Sequence, residues 1–233
     1  QWDDFLASGD AFNGELTDPD PMDPCMIQYT SGTTGFPKGA LLFHRGLVNN
    51  GAHTGARMGI SDGSVFILTM PLFHTGGCVL GVLTAVAART TIVLVEMFDP
   101  GLVLELFEVY EGTAMLGVPT MLVALLEHPD FTTRDLSHIE AICSGGSTVP
   151  AALVERLEKE LKAPFTIVFG QTELSPVSSM THATDTIADK ASTIGNAMPH
   201  VEIKIIDTET GETVPPRTVG EYCARGYLVM HGY

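Results

Sequence analysis

Apolar and polar positions alternate along this chain in two rhythms. Short apolar or β-branched runs at 26–29, 40–43, 65–70, 91–95, 113–116, 139–143 and 165–169 predict strands. Between them lie stretches that predict helices. Residues 76–88 are apolar throughout, and 101–110 place Leu102, Leu106 and Val109 at helical spacing. Residues 120–127 predict a further helix. Residues 150–162 give the clearest one: Leu153, Leu157 and Leu161 share a face, Glu155, Glu158 and Glu160 flank it, and Ser147 or Thr148 is placed to cap it. No element is assigned between Phe43 and Val65. Strands alternating with helices predict an α/β fold with a mostly parallel sheet flanked by helices.

The rhythm changes near Thr193. Residues 201–207 and 221–225 alternate apolar and polar, with Gly211 and Pro215-Pro216 marking turns, which predicts a short antiparallel, barrel-like β portion. Before the first strand, the Asp- and Pro-rich run through Asp18-Pro19-Asp20-Pro21 predicts a connector. The expected organisation is therefore a connector at 1–24, an α/β core at 25–192 and the start of an antiparallel β subdomain at 193–233.

Composition narrows the function. Hydrophobic residues make up 45% of the chain, enough for a real core. The formal net charge of −16 argues against a nucleic-acid-binding surface and against docking on anionic lipid. It leaves room for small anions held by backbone N–H groups. Cys25, Cys78, Cys143 and Cys223 are far apart and form no CxxC pair, so neither a zinc site nor a disulfide framework is expected. The longest apolar stretch is shorter than the ~20 residues of a bilayer span. With no basic, apolar leader at Gln1, a cytoplasmic location is expected. Gln1 and Tyr233 both read as cuts within a longer protein.

The chemistry concentrates in Thr30-Ser31-Gly32-Thr33-Thr34-Gly35-Phe36-Pro37-Lys38-Gly39. Its glycines permit positive φ and expose N–H groups, its hydroxyls add donors, and Lys38 adds charge: the equipment to hold a polyphosphate. It is not a Walker loop, because Lys38 stands between Pro37 and Gly39 and cannot open a helix in the required register. Ordinary kinase or ATPase chemistry fails on that geometry, and no G-x-G-x-x-G dinucleotide motif is present.

This ten-residue segment closely resembles the phosphate-binding motif of the adenylate-forming (AMP-binding) superfamily, and the acyl-CoA synthetase type fits best. Further motifs resemble that family's in the same order: Pro71-Leu72-Phe73-His74, Ser144-Gly145-Gly146-Ser147, Phe169-Gly170-Gln171-Thr172-Glu173, and the block from Gly220-Glu221 through Arg225-Gly226 to Gly232-Tyr233. The resemblance implies that a carboxylate attacks the α-phosphate of ATP, that pyrophosphate leaves, and that a thiol, usually of coenzyme A, takes the acyl group. It implies that Thr30, Ser31, Gly32, Thr33, Thr34, Gly35 and Lys38 hold the β- and γ-phosphates. It gives Thr172 the α-phosphate and Glu173 a Mg²⁺ ion. Gly145, Gly146 and Ser147 would flank the adenine on which Phe169 stacks, and Gly170 and Gln171 complete that motif. His74 would stand between acyl pocket and adenylate, with Gly76, Gly77, Gly117 and Val118 along the acyl channel.

No acidic residue in the candidate pocket segments awaits an amino group, so a fatty or other hydrophobic acid is the expected substrate, and Gln171 within its motif resembles the medium- to long-chain branch. The alternatives are an adenylation domain that loads an amino or aromatic acid onto a carrier-protein thiol, and a non-catalytic nucleotide-binding relative. The family has Tyr more often at Phe169 and commonly Gly at Arg217. Its members continue past Tyr233 into a ribose-binding Asp, a hinge and a catalytic Lys, so this chain alone is expected to be weakly active or inactive.

Overall fold

A computed structural model describes residues 3, 4, 7, 18–30 and 36–233. Two strands, β1 (Pro24–Thr30) and β2 (Lys38–Phe43), pair antiparallel in a sheet of their own, with Thr30 opposite Lys38. Helix α1 (His44–Met58) follows directly. Then come β3 (Val65–Leu68) and a helical segment, α2, made of Thr75–Gly77, the π-helical Cys78–Leu83 and Thr84–Ala88. Strand and helix alternate from there: β4 (Thr91–Leu94), α3 (Pro100–Val109), β5 (Ala114–Gly117), α4 (Pro119–Glu127), β6 (Ala141–Gly145), α5 (Ala151–Leu161) and β7 (Phe165–Gly170). The described residues end with β8 (Val177–Met180), α6 (Ile187–Ser192), β9 (Asn196–Ala197), β10 (Val201–Ile206) and β11 (Glu221–Gly226).

The main sheet runs β4-β3-β5-β6-β7-β8-β9. Neighbours from β4 to β7 are parallel, and β8 and β9 join antiparallel, so the mostly parallel sheet is present. It extends to β9, past the boundary drawn at 192/193. The antiparallel pair β10–β11 forms a separate two-stranded sheet rather than a barrel.

Side chains alternate across the strands and fill two cores. Phe66, Leu68, Ala114, Leu116, Ala141, Cys143 and Val168 face one side, with Leu47 and Met58 of α1 and Val79 and Leu80 of α2. Ile67, Met115, Ile142, Phe165 and Ile167 face the other, with Leu104 and Phe107 of α3, Leu122 of α4 and Val154 and Leu157 of α5. Both faces are covered, as parallel sheets require.

Two local expectations are corrected. The cap of α5 is neither Ser147 nor Thr148: Pro150 is the N-cap residue, with no side-chain hydrogen bond. Strand β6 also runs on through Ser144 and Gly145, because Gly145 stays paired with Val168 of β7. All four cysteines are free thiols, and burial pushes that of Cys143 up to about 12. Among the described residues, no helix is long and apolar enough to cross a membrane.

Candidate functional site

The first crossover from β3 leads to β4 on one side, and the chain then returns to place β5 on the other. The segments leaving the carboxyl ends of β3 and β5 therefore diverge, and such a switch point opens a crevice in a parallel sheet. A cleft of about 540 Å³ lies there, within the ordinary range of small-molecule sites. Segments after β3 (Met70, Pro71, Phe73, His74), β5 (Gly117, Val118), β6 (Gly146) and β7 (Gln171, Thr172) all line it. Leu80, Leu116, Val168 and Val177 give it apolar walls, and no Asp or Glu is among its lining residues.

Hydrogen bonds fix the rim. The Ser144 hydroxyl donates to the Gly117 carbonyl at 2.9 Å, tying β6 to β5, and Thr69 donates to Leu116 at 3.2 Å, tying β3 to β5. Gln28 Nε2 donates to the Phe73 carbonyl at 2.8 Å, anchoring the segment after β3 to β1. His74 is the N-cap of α2: its Nδ1 accepts from the Gly76 N–H at 2.9 Å. An accepting Nδ1 leaves the proton of a neutral imidazole on Nε2, so the ring offers a donor from its other edge. Gly145 has no room for a side chain, since a Cβ would lie 2.8 Å from the Val168 carbonyl oxygen. Gly146 takes φ +78°, which turns the chain away from the strand end.

The cleft thus brings together His74, Gly145, Gly146, Gly170, Gln171 and Thr172 of the residues anticipated from sequence, with Gly76, Gly117 and Val118. Gly77 is not in its lining; it packs against the Pro71 backbone, where a Cβ would meet the carbonyl oxygen at 2.1 Å. Phe169 is not in the lining either. Side chains alternate along β7, so while Val168 faces the cleft, the Phe169 ring meets Tyr222 of β11 edge-on at 5.3 Å. Ser147 is exposed beside Gly146, outside the lining. Ser31, Gly32, Thr33, Thr34 and Gly35 lie outside the described residues.

A second constellation adjoins Thr172. Glu173 sits in a short helical turn, Thr172–Leu174, and its Oε1 accepts from the Tyr233 hydroxyl at 2.7 Å. That bond, above all, pushes the phenol's pKa up. The Lys38 ammonium lies 5.1 Å from the centroid of the same ring. Backbone pairing sets this up: Met230 N–H donates to the Glu173 carbonyl at 2.9 Å, while Leu41 and His231–Gly232 exchange hydrogen bonds of 2.8 and 2.9 Å. The segment after β11 is therefore laid between β2 and the Thr172–Leu174 turn. Sequence reading gave Tyr233 no role, because nothing local links it to a partner 60 positions away. Among the described residues no cluster of three or more His, Cys, Asp or Glu could cage a metal. A hard ion such as Mg²⁺, which takes one or two carboxylates and completes its shell with phosphate oxygens and water, fits the single Glu173 carboxylate.

Residues 3–233 match the family described as AMP-binding enzyme. The chain belongs to that family. Among curated proteins of the family, a putative acyl-CoA synthetase, YngI, of Bacillus subtilis is 42% identical over 208 residues, covering 89% of this chain and 38% of that protein. The mitochondrial medium-chain acyl-CoA ligase ACSF2 of Bos taurus is 39% identical over 217 residues, covering 91% and 35%. The chain thus spans well under half the length of these relatives. Among solved structures of the family, ATP-bound MatB from Rhodopseudomonas palustris aligns with a TM-score of 0.85 at 27% identity, over 99% of this chain and 45% of that one. A long-chain-fatty-acid-CoA ligase from Archaeoglobus fulgidus aligns with a TM-score of 0.79 at 30% identity, over 91% and 44%.

Proposed function

We propose that this chain is the ATP- and acid-binding part of an acid–thiol ligase that adenylates a hydrophobic, fatty-type carboxylic acid and passes the acyl group to coenzyme A. The observation that carries this reading is the cleft at the switch point. Its walls are apolar, it lacks acidic lining, and Gln171, Thr172 and His74 also line it.

In the reaction, a carboxylate oxygen of the acid forms a bond to the α-phosphorus of ATP, and the bond to the β-phosphate oxygen breaks, releasing pyrophosphate. The adenylate's acyl carbon is then taken by the thiolate sulfur, and AMP leaves. Catalysis of this kind rests on positioning and on donors aimed where charge builds up. The Thr172 hydroxyl supplies a donor at the α-phosphate, and Lys38, with the Thr30–Gly35 segment, supplies charge and donors to the departing pyrophosphate. The Nε2 edge of His74 supplies a further donor within the cleft. Glu173 would hold a Mg²⁺ ion, which would supply charge neutralisation to the phosphates. The apolar walls hold the acyl tail and exclude water from the reacting carboxylate. The relatives named acyl-CoA synthetase or ligase support coenzyme A as the acceptor.

The test is carboxylate-dependent exchange of labelled pyrophosphate into ATP, on this chain and on the longer protein its gene encodes, with fatty, aromatic and amino acids. Fatty acids are expected to support exchange, and Thr172→Val to lower the rate ~100-fold, the cost of losing one such donor. Exchange only with amino acids, and an acyl product formed without free coenzyme A, would instead establish an adenylation domain serving a carrier protein. No exchange with any acid would leave a nucleotide-binding role.

A further inference from the structure

We propose that Tyr233 is a positioning residue that prepares both Lys38 and Glu173 for metal-bound ATP. This rests on the reading of Glu173 as the metal-holding carboxylate and goes beyond it.

Tyr233 uses its two chemical faces on two different partners. Its hydroxyl, at 2.7 Å from Glu173 Oε1, occupies one oxygen of that carboxylate. Among the described residues, the other oxygen takes no hydrogen bond. A carboxylate held in this way offers a single oxygen in a fixed direction, which suits the octahedral, monodentate preference of Mg²⁺. Partners outside the coordination shell that hold a ligand in this manner are worth ~10–100-fold in metal affinity. The face of the ring, 5.1 Å from the Lys38 ammonium, holds the cation in reach of the same polyphosphate without neutralising it as a carboxylate would. Lys38 and Glu173 both meet this side chain, the cation at its ring and the carboxylate at its hydroxyl, and among the described residues no ion pair joins the two. Tyr233 itself is 64% exposed, so its substitution removes little packing. Its backbone is placed independently of the ring by the bonds of Met230, His231 and Gly232 to Glu173 and Leu41.

The two faces separate by mutation. ATP dissociation constants would be measured by titration calorimetry with excess Mg²⁺ and again in chelator, for the parent and for Tyr233→Phe, Tyr233→Leu and Glu173→Gln, with thermal melting as a check of folding. Tyr233→Phe keeps the ring and loses the hydroxyl. It is expected to weaken ATP binding ~10-fold with Mg²⁺ and to leave binding in chelator unchanged. Tyr233→Leu is expected to lose the same metal effect and to weaken chelator binding ~2–5-fold as well, because Lys38 loses its ring. Parent-like values for Tyr233→Phe, alongside a lost metal effect in Glu173→Gln, would overturn the proposal and leave Glu173 as the metal carboxylate. A full metal effect in Glu173→Gln would overturn the reading of Glu173, and the role of Tyr233 toward it.

Discussion

Arg217 occupies the third position of a turn whose Thr218 N–H donates to the Pro215 carbonyl at 3.2 Å, and its φ is +68°. Pro216 at the second position and positive φ at the third make the type II pattern, which favours glycine at the third. An L-residue in the left-handed region costs about 1–2 kcal/mol, and glycine returns part of that through its greater unfolded-state entropy. Arg217→Gly is therefore expected to stabilise the fold by about 0.5–1 kcal/mol, read as a shift in the denaturant midpoint at constant slope. Sequence comparison with the family had singled out this residue, and the backbone supplies the reason. The same scale shows what residue-level reading leaves out. Phe169 was placed by its motif, but motif position says nothing of which face of β7 a ring takes, and its ring meets Tyr222 edge-on. Tyr233 was quoted within a motif, yet its meaning depends on Lys38 and Glu173, which only the fold brings to it.

Among the elements, α1 was invisible to periodicity, and its composition explains why. Its buried face is Gly46, Leu47, Asn50, Gly51, Thr54, Gly55 and Met58, so the stripe that packs is small and polar rather than apolar. Gly51 and Gly55 let α1 close on α2, where added Cβ atoms would meet the Leu83 backbone at 2.9 Å and Thr84 Cγ2 at 2.8 Å. Hydrophobic pattern finds helices that bury large side chains and passes over those that bury backbone. Asn50 is the polar counterpart of this contact. Fully buried, it donates through Nδ2 to the Val177 carbonyl at 2.8 Å and accepts at Oδ1 from the Val177 N–H at 3.1 Å, completing both backbone groups at the start of β8. Asn50→Ala leaves both unsatisfied, and a loss of about 2–4 kcal/mol in chemical denaturation is expected. Strands β1 to β7, β10 and β11 and helices α2 to α5 were readable because each carries its period plainly, as in the Leu153–Leu157 face of α5, whereas α6 (Ile187–Ser192) was not assigned.

For the molecule as a whole, α1 and the β10–β11 sheet meet around His53. Its ring lies 6.1 Å from that of His200 and 5.7 Å from that of Tyr227. Burial, then the charges of His200 and Arg57, hold the His53 pKa below its ordinary value. The sign follows from linkage: the unfolded chain protonates His53 near pH 6.5 while the fold resists, so stability falls as pH drops through that value and toward the lower folded one. Thermal midpoints at pH 7.5 and 5.5 are expected to fall further for the parent than for His53→Gln; equal falls would show that other groups set the acid limb. The α/β order and the mostly parallel sheet were legible from alternation, and the motif residues Gly145, Gly146 and Gly170 fall at strand ends that line the cleft. The antiparallel edge β8–β9 was not: Val177–Met180 holds two serines in four residues and Asn196–Ala197 is two residues long, too short to show a period.

The cleft's apolar walls, Leu80, Leu116, Val168 and Val177, all belong to the core on the α1–α2 face, and none belongs to the core on the face of α3, α4 and α5. The sheet thus insulates one hydrophobic reservoir from the other. Exchanges that reshape the cleft fall on the first, while the second goes on holding the strands in register. Such an arrangement lets the shape of the cleft drift in small steps without endangering folding, a division of labour between adaptability and robustness written into which side of a strand each residue faces.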